Sequence, residues 1–160
     1  MADLCGPLPI AEWFINRVDR DAGEAMTHLK VQKLLYFSQA YFLANFHKPL
    51  FEEDFEAWAH GPVLPSVFKE FSGNGWEALP TRDEPPTIPK AVALYLEEVY
   101  QKFSVFSAKQ LEKISHQHDP WIRARGDLPP EARCNEIIPK DHIEEFYVAR
   151  IKKAKSKKAK

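Results

Sequence analysis

The chain has 160 residues and a mass of 18.5 kDa; 44% of it is hydrophobic and 28% charged, with 6 Gly against 13 Pro. These values fit one domain able to bury its own core, and they exclude disorder over most of the chain and a collagen-like or low-complexity fibre. The 22 basic and 23 acidic residues sum to −1, yet residues 150–160 hold seven basic residues and no acidic one, which leaves 15 basic against 23 acidic, or −8, on residues 1–149. An acidic body repels nucleic-acid backbones, and only the basic tail could attract them.

In chain order, Ile10, Trp13, Phe14 and Val18 recur at helical spacing and predict a first helix from Pro9 to about Arg20, with Ala22–Met26 as connector. Thr27 is an N-cap for a helix from about His28 to Phe46. From Leu34 onward ten of its thirteen residues are apolar, so this helix is expected at the centre of the core. Lys30, Gln32 and Lys33 read as the wet side of its first turns, and Lys48-Pro49 ends it. Phe51, Phe55 and Trp58 then punctuate an acidic stretch (Glu52, Glu53, Asp54, Glu56) that reads either as one or two short strands or as an aromatic-pinned loop. His60-Gly61-Pro62 is a turn, and Ser66–Phe71 a short helix stopped by Ser72-Gly73-Asn74-Gly75.

Trp76–Pro89 carries four prolines and reads as an exposed loop with polyproline character. A helix is expected over Ala91–Phe106, and Ser107-Ala108-Lys109-Gln110 has capping-box spacing for another reaching about His116. Asp119-Pro120 opens a short helix carrying Trp121, Ile122 and Arg125. A last helix, Pro139 to Ile151, leads into a basic segment expected to be frayed. The predicted fold is mainly α: one compact helical bundle around the apolar helix at about 28–46, with at most a small β element near 48–60. Residues 1–149 form the domain and 150–160 a basic, disordered tail.

No stretch is long and apolar enough to span a membrane: Leu34–Phe46 is interrupted by Ser38, Gln39 and Asn45. The first residues lack the pattern of a signal peptide. Cys5 and Cys134 are therefore expected as free thiols in the cytoplasm. No catalytic motif is present, and the adjacent carboxylate pairs do not share a helix face, so they read as solvated surface. Nothing marks an enzyme, a cofactor site or a metal site: His116 and His118 lie two apart, a spacing unsuited to helical metal ligation. One of the two reads instead as a positive charge at a helix C-terminus. The lysine-rich tail has no interleaved aromatics, so it offers electrostatics without base stacking.

The segment Trp58-Ala59-His60-Gly61-Pro62-Val63 combines a large anchor, a glycine and a proline-fixed turn. Either Trp58 plugs the core and Gly61-Pro62 merely reverses the chain, or the turn presents a rigid surface to a partner protein. At these residues the sequence resembles the Panacea domain family, the SocA-like antitoxins, also described as phage-associated proteins. The resemblance rests on Leu29-Lys30-Val31-Gln32-Lys33-Leu34-Leu35-Tyr36-Phe37, on Pro49-Leu50-Phe51 followed by Phe55-Glu56-Ala57-Trp58-Ala59-His60-Gly61-Pro62-Val63, and on His116 with Asp119-Pro120-Trp121. It implies an α-rich bacterial or prophage domain that neutralises a cognate protein toxin by direct binding. It also implies a second mode, in which the antitoxin delivers the toxin to an ATP-dependent protease.

The contact surface expected under that reading is Lys30, Lys33 and Tyr36 with Trp58, His60, Gly61, Pro62 and Val63. Leu34, Leu35, Phe37, Phe55, His116, Asp119, Pro120 and Trp121 form the structural part of the motif. Should Trp58 and Tyr36 be buried, they shape the site without touching the partner. The competing reading is a nucleic-acid-binding regulator that uses the basic tail. The 76–89 loop and the tail lie outside the pattern of resemblance.

Overall fold

The computed structural model describes residues 6–18, 25–74, 77–81 and 86–159. It contains seven α-helices and one hairpin among these residues: α1 (Pro7–Arg17), α2 (His28–Phe46), β1 (Glu56–Trp58), β2 (Gly61–Val63), α3 (Pro65–Phe71), α4 (Lys90–Phe103), α5 (Ala108–His116), α6 (Asp119–Arg125) and α7 (Lys140–Ala159). A 3₁₀ turn, Ser72–Asn74, follows α3. The mainly helical bundle expected from the sequence is what forms.

The centre is α2. Thr27 accepts a hydrogen bond from Lys30 N at its start. At its end His47 takes a left-handed conformation (φ 58°), and its N–H donates to Leu43 O. Every residue from Val31 to Ala40 is buried. α1, α3, α4, α5, α7 and β2 all pack against it. Phe37 stacks on Phe103 of α4 with centroids 4.7 Å apart, and Tyr36 meets Phe55 and Tyr147 edge to face. Around this axis Arg17 of α1 makes a bidentate pair with Glu97 of α4, both bonds 2.7 Å, and lies over the Tyr100 ring.

The open choice over 49–63 resolves to a hairpin at 56–63, shifted slightly C-terminal of the span expected. Its register pairs Glu56 with Val63 and Trp58 with Gly61. The chain near residue 137 lies along the other edge of β1: Ala57 N donates to Glu136 O and Ile138 N to Phe55 O. Ser107 and Gln110 form the expected capping box of α5.

Three expectations are corrected. Gln32 and Lys33 are not wet: they are 2% and 0% exposed. The loop before α4 is not uniformly exposed, because Leu79 is buried and its N–H donates to Met26 O at 2.7 Å. Over the basic tail α7 runs on through Ala159, as an Ala- and Lys-rich segment without Gly or Pro permits. Neither histidine of the 116–118 pair supplies a positive charge to a helix end. His116 ends α5 stacked on Trp121, with its pKa lowered by burial. His118 is buried before α6, its Nδ1 2.6 Å from Tyr147 Oη. Cys134 is a buried free thiol, while Cys5, Asp19–Glu24, Gly75, Trp76, Arg82–Pro85 and Lys160 lie outside the described residues.

His118 gives a pH prediction. Burial, helped by Arg150, lowers its pKa from 6.5 to about 4. As pH falls from 6.5 towards 4 the unfolded chain takes up the proton first, so folded-state stability declines over that window. Urea midpoints at pH 7 and pH 5 should differ less in His118→Gln than in the parent chain. His28, also lowered to about 4, and His116, lowered by burial too, carry the remaining slope.

Candidate functional site

The residues singled out between 30 and 121 meet around the hairpin. α2 approaches it with polar side chains that the apolar surroundings force into hydrogen bonds. Gln32 pairs twice with the backbone of Leu64: its Oε1 accepts from Leu64 N at 2.9 Å and its Nε2 donates to Leu64 O at 3.2 Å. Two turns later Gln39 repeats the arrangement on the incoming chain, accepting from Leu50 N (2.7 Å) and donating to Phe51 O (2.8 Å). Between them Lys33, fully buried, donates its Nζ to Pro62 O at 3.0 Å. Burial lowers the pKa of Lys33 to about 7, and Glu112 works in the opposite direction.

Gly61 is where these elements come closest. Its φ is +99°, and a Cβ there would stand 2.6 Å from Lys33 Cε and 2.8 Å from Ser115 Oγ. Only glycine satisfies both the backbone and the space.

The hairpin is also held by α6, through β1. Trp121 Nε1 donates to Trp58 O at 2.8 Å. The Arg125 guanidinium, 4% exposed, lies over the Trp121 ring. It donates to the carbonyls of Ala57, Pro129, Pro130 and Ala132. Its charge is thus spread over four carbonyl dipoles with no carboxylate among those partners. His116 stacks on the other part of this layer, 4.1 Å from the Trp121 ring and 19° from parallel.

The expected contact residues therefore divide. Lys33, Tyr36, Gly61, Pro62 and Val63 are buried, so they shape the hairpin and do not face solvent. Lys30, half-buried, donates to Ser104 O at 2.8 Å, away from the turn. Trp58 is half-buried and His60 exposed, 3.8 Å from Glu112. Leu34, Leu35, Phe37, Phe55, Pro120 and Trp121 are core, and Asp119 sits exposed in the first turn of α6. The Trp58 ring rests edge to face on Phe68 of α3, 4.9 Å between centroids, and Phe68 is 39% exposed. Exposed Glu52, Glu53, Asp54 and Glu70 flank this aromatic pair in sequence, and Glu56 accepts from Trp58 Nε1.

The sequence reading gives no site role to Gln32, Gln39, Arg125 or Phe68. A glutamine in an otherwise apolar helical run is a signal for Gln39; Gln32, between Lys30 and Lys33, carries none. Among the described residues no group of three or more His, Cys, Asp or Glu gathers as metal ligands, and no helix is long and apolar enough to cross a membrane.

A family model described as "Antitoxin SocA-like, Panacea domain" matches residues 31–122, the stretch from the first turns of α2 to α6 that builds this braced hairpin. The chain belongs to the SocA-like, Panacea-domain antitoxin family. One similar protein is "Antitoxin SocA" of Caulobacter vibrioides (strain NA1000 / CB15N), 33% identical over 109 residues. That match covers 60% of this chain and 58% of the relative, so somewhat over half of the relative's length is spanned. No solved structure matches the chain.

Two outcomes are expected of this Panacea-domain site. Gly61→Ala should lose about 2–4 kcal/mol, from backbone strain and overpacking together, in chemical denaturation. Stability should rise with pH from about 7 until tyrosine ionisation near 10, because unfolded Lys33 (pKa 10.5) still holds the proton that the folded side chain has released. In Lys33→Met that alkaline rise should vanish; an unchanged rise would mean that Lys33 is solvated.

Proposed function

We propose that this protein is an antitoxin that neutralises a cognate protein toxin by direct binding, with the outer face of the hairpin and α3 as the contact surface. The observation that carries the reading is the coincidence of the family match with a hairpin whose two strands are each held by buried side chains, with Trp58, His60 and Phe68 at the surface. A preorganised aromatic pair loses little freedom on association, which favours affinity. The neighbouring carboxylates suit a basic toxin, and charge complementarity of this kind speeds encounter. The role asks for no catalytic constellation; binding alone performs it.

Co-expression with the product of the adjacent open reading frame tests the proposal, scoring growth rescue and co-purification together. Rescue with a stable complex is expected. Trp58→Ala should weaken the complex at least about tenfold while its loss of stability stays below the roughly 3–5 kcal/mol of a fully buried tryptophan. Replacing Glu52 and Glu53 by lysine should slow association more than it speeds dissociation. Rescue without a complex would overturn direct binding. A fall in toxin level that depends on an ATP-dependent protease would replace it with delivery for degradation.

A further inference from the structure

The basic end of α7 does not stand clear of the domain. It forms one wall of a groove of about 600 Å³ whose other wall comes from α2 and α4. Arg150, Lys153 and Lys157 line it from α7, and Tyr41, Tyr95 and Phe103 from the opposite side. Lys102 and Lys155 add two further cations, and Glu98 is the one carboxylate in the lining. The spacing i, i+3, i+7 puts the three α7 cations on one stripe about 10 Å long. Like charges so placed repel one another, and an anion in the groove relieves that repulsion. Beside Tyr95, outside this lining, the Phe46 ring lies 6.3 Å from the tyrosine and is 53% exposed.

We propose that this groove binds single-stranded nucleic acid without sequence preference, phosphates on the α7 stripe and unstacked bases against the aromatic wall. The tail sequence alone has cations and no rings. The fold brings rings from α2 and α4 to face it, which completes the pair of features such binding uses: a cationic track and aromatic platforms. Five cations in one lining suit a polyanion better than a small anion. A duplex keeps its bases stacked and leaves the rings unused. An acidic peptide segment could use the cations but gains nothing specific from the rings. This inference is independent of the toxin-binding surface, which is built from other elements.

The test is fluorescence anisotropy on the full chain with a labelled oligothymidylate of about a dozen nucleotides, a duplex of the same length and an oligoglutamate peptide, at about 50 mM salt and upward. The single strand should bind tightest. The triple variant Arg150→Gln, Lys153→Gln, Lys157→Gln should lose at least about tenfold and flatten the log–log salt slope by roughly 2. Phe46→Ala, at an exposed position beside Tyr95, should weaken single-strand binding and leave duplex binding unchanged. Equal binding of duplex or oligoglutamate would overturn the proposal, as would a triple variant that binds like the parent or no single-strand binding at low salt.

Discussion

The structure depends on a helix that is apolar enough to be central and yet carries polar side chains where the chain must be held. Gln32, Lys33 and Gln39 of α2 are buried, and each spends its hydrogen bonds on the backbone of residues 50–64. A three-residue hairpin strand pair is too short to be stable alone. Here its ends are fixed by side chains that cannot find water. The cost of burying an amide or an ammonium is offset only while those carbonyls and N–H groups stay in place, so core and hairpin form together. Gly61 belongs to the same constraint, since any side chain there would collide with Lys33 and Ser115.

From this follows the character of the surface. Trp121 and Arg125 hold the carbonyls of Trp58 and Ala57 on β1, while Lys33 holds that of Pro62 on β2. The turn is thereby braced at both strands, and the side chains that reach the surface, Trp58 and His60 with the adjoining Phe68, sit on a rigid base. The family assignment over 31–122 covers Lys33, the hairpin and Trp121, while Arg125 lies three residues beyond it. The proposed antitoxin role therefore uses a surface fixed in advance, and not a segment that orders on binding.

Much of this was readable from residues alone, and what was not has a physical reason. The bounds of α2 follow from the Thr27 cap and the Lys48-Pro49 stop, and the α5 start from Ser107 and Gln110, because caps and breakers act locally. The burial of Gln32 and Lys33 was not readable: a polar residue in the first turns of a helix suggests solvent, and its partners lie about thirty residues on. The hairpin stayed open between strand and loop since its support comes from α2, α6 and the chain at 136–138, not from its own alternation. Of the candidate site, the motif residues were found, but their division into bracing and exposed members needed the packing. The groove beside the tail was not readable, because its aromatic lining belongs to distant helices.

Native-state amide hydrogen exchange on the free protein tests the central claim most directly, read at the two N–H groups that the glutamines hold, Leu50 and Leu64. If buried side chains of α2 fix the chain there, both amides exchange only through global unfolding, with protection equal to that of the α2 core, although neither belongs to a helix or a paired strand. Exchange at the rate of an ordinary surface loop, while α2 stays protected, would contradict the account: the hairpin would then be a mobile segment and its outer face no preformed surface.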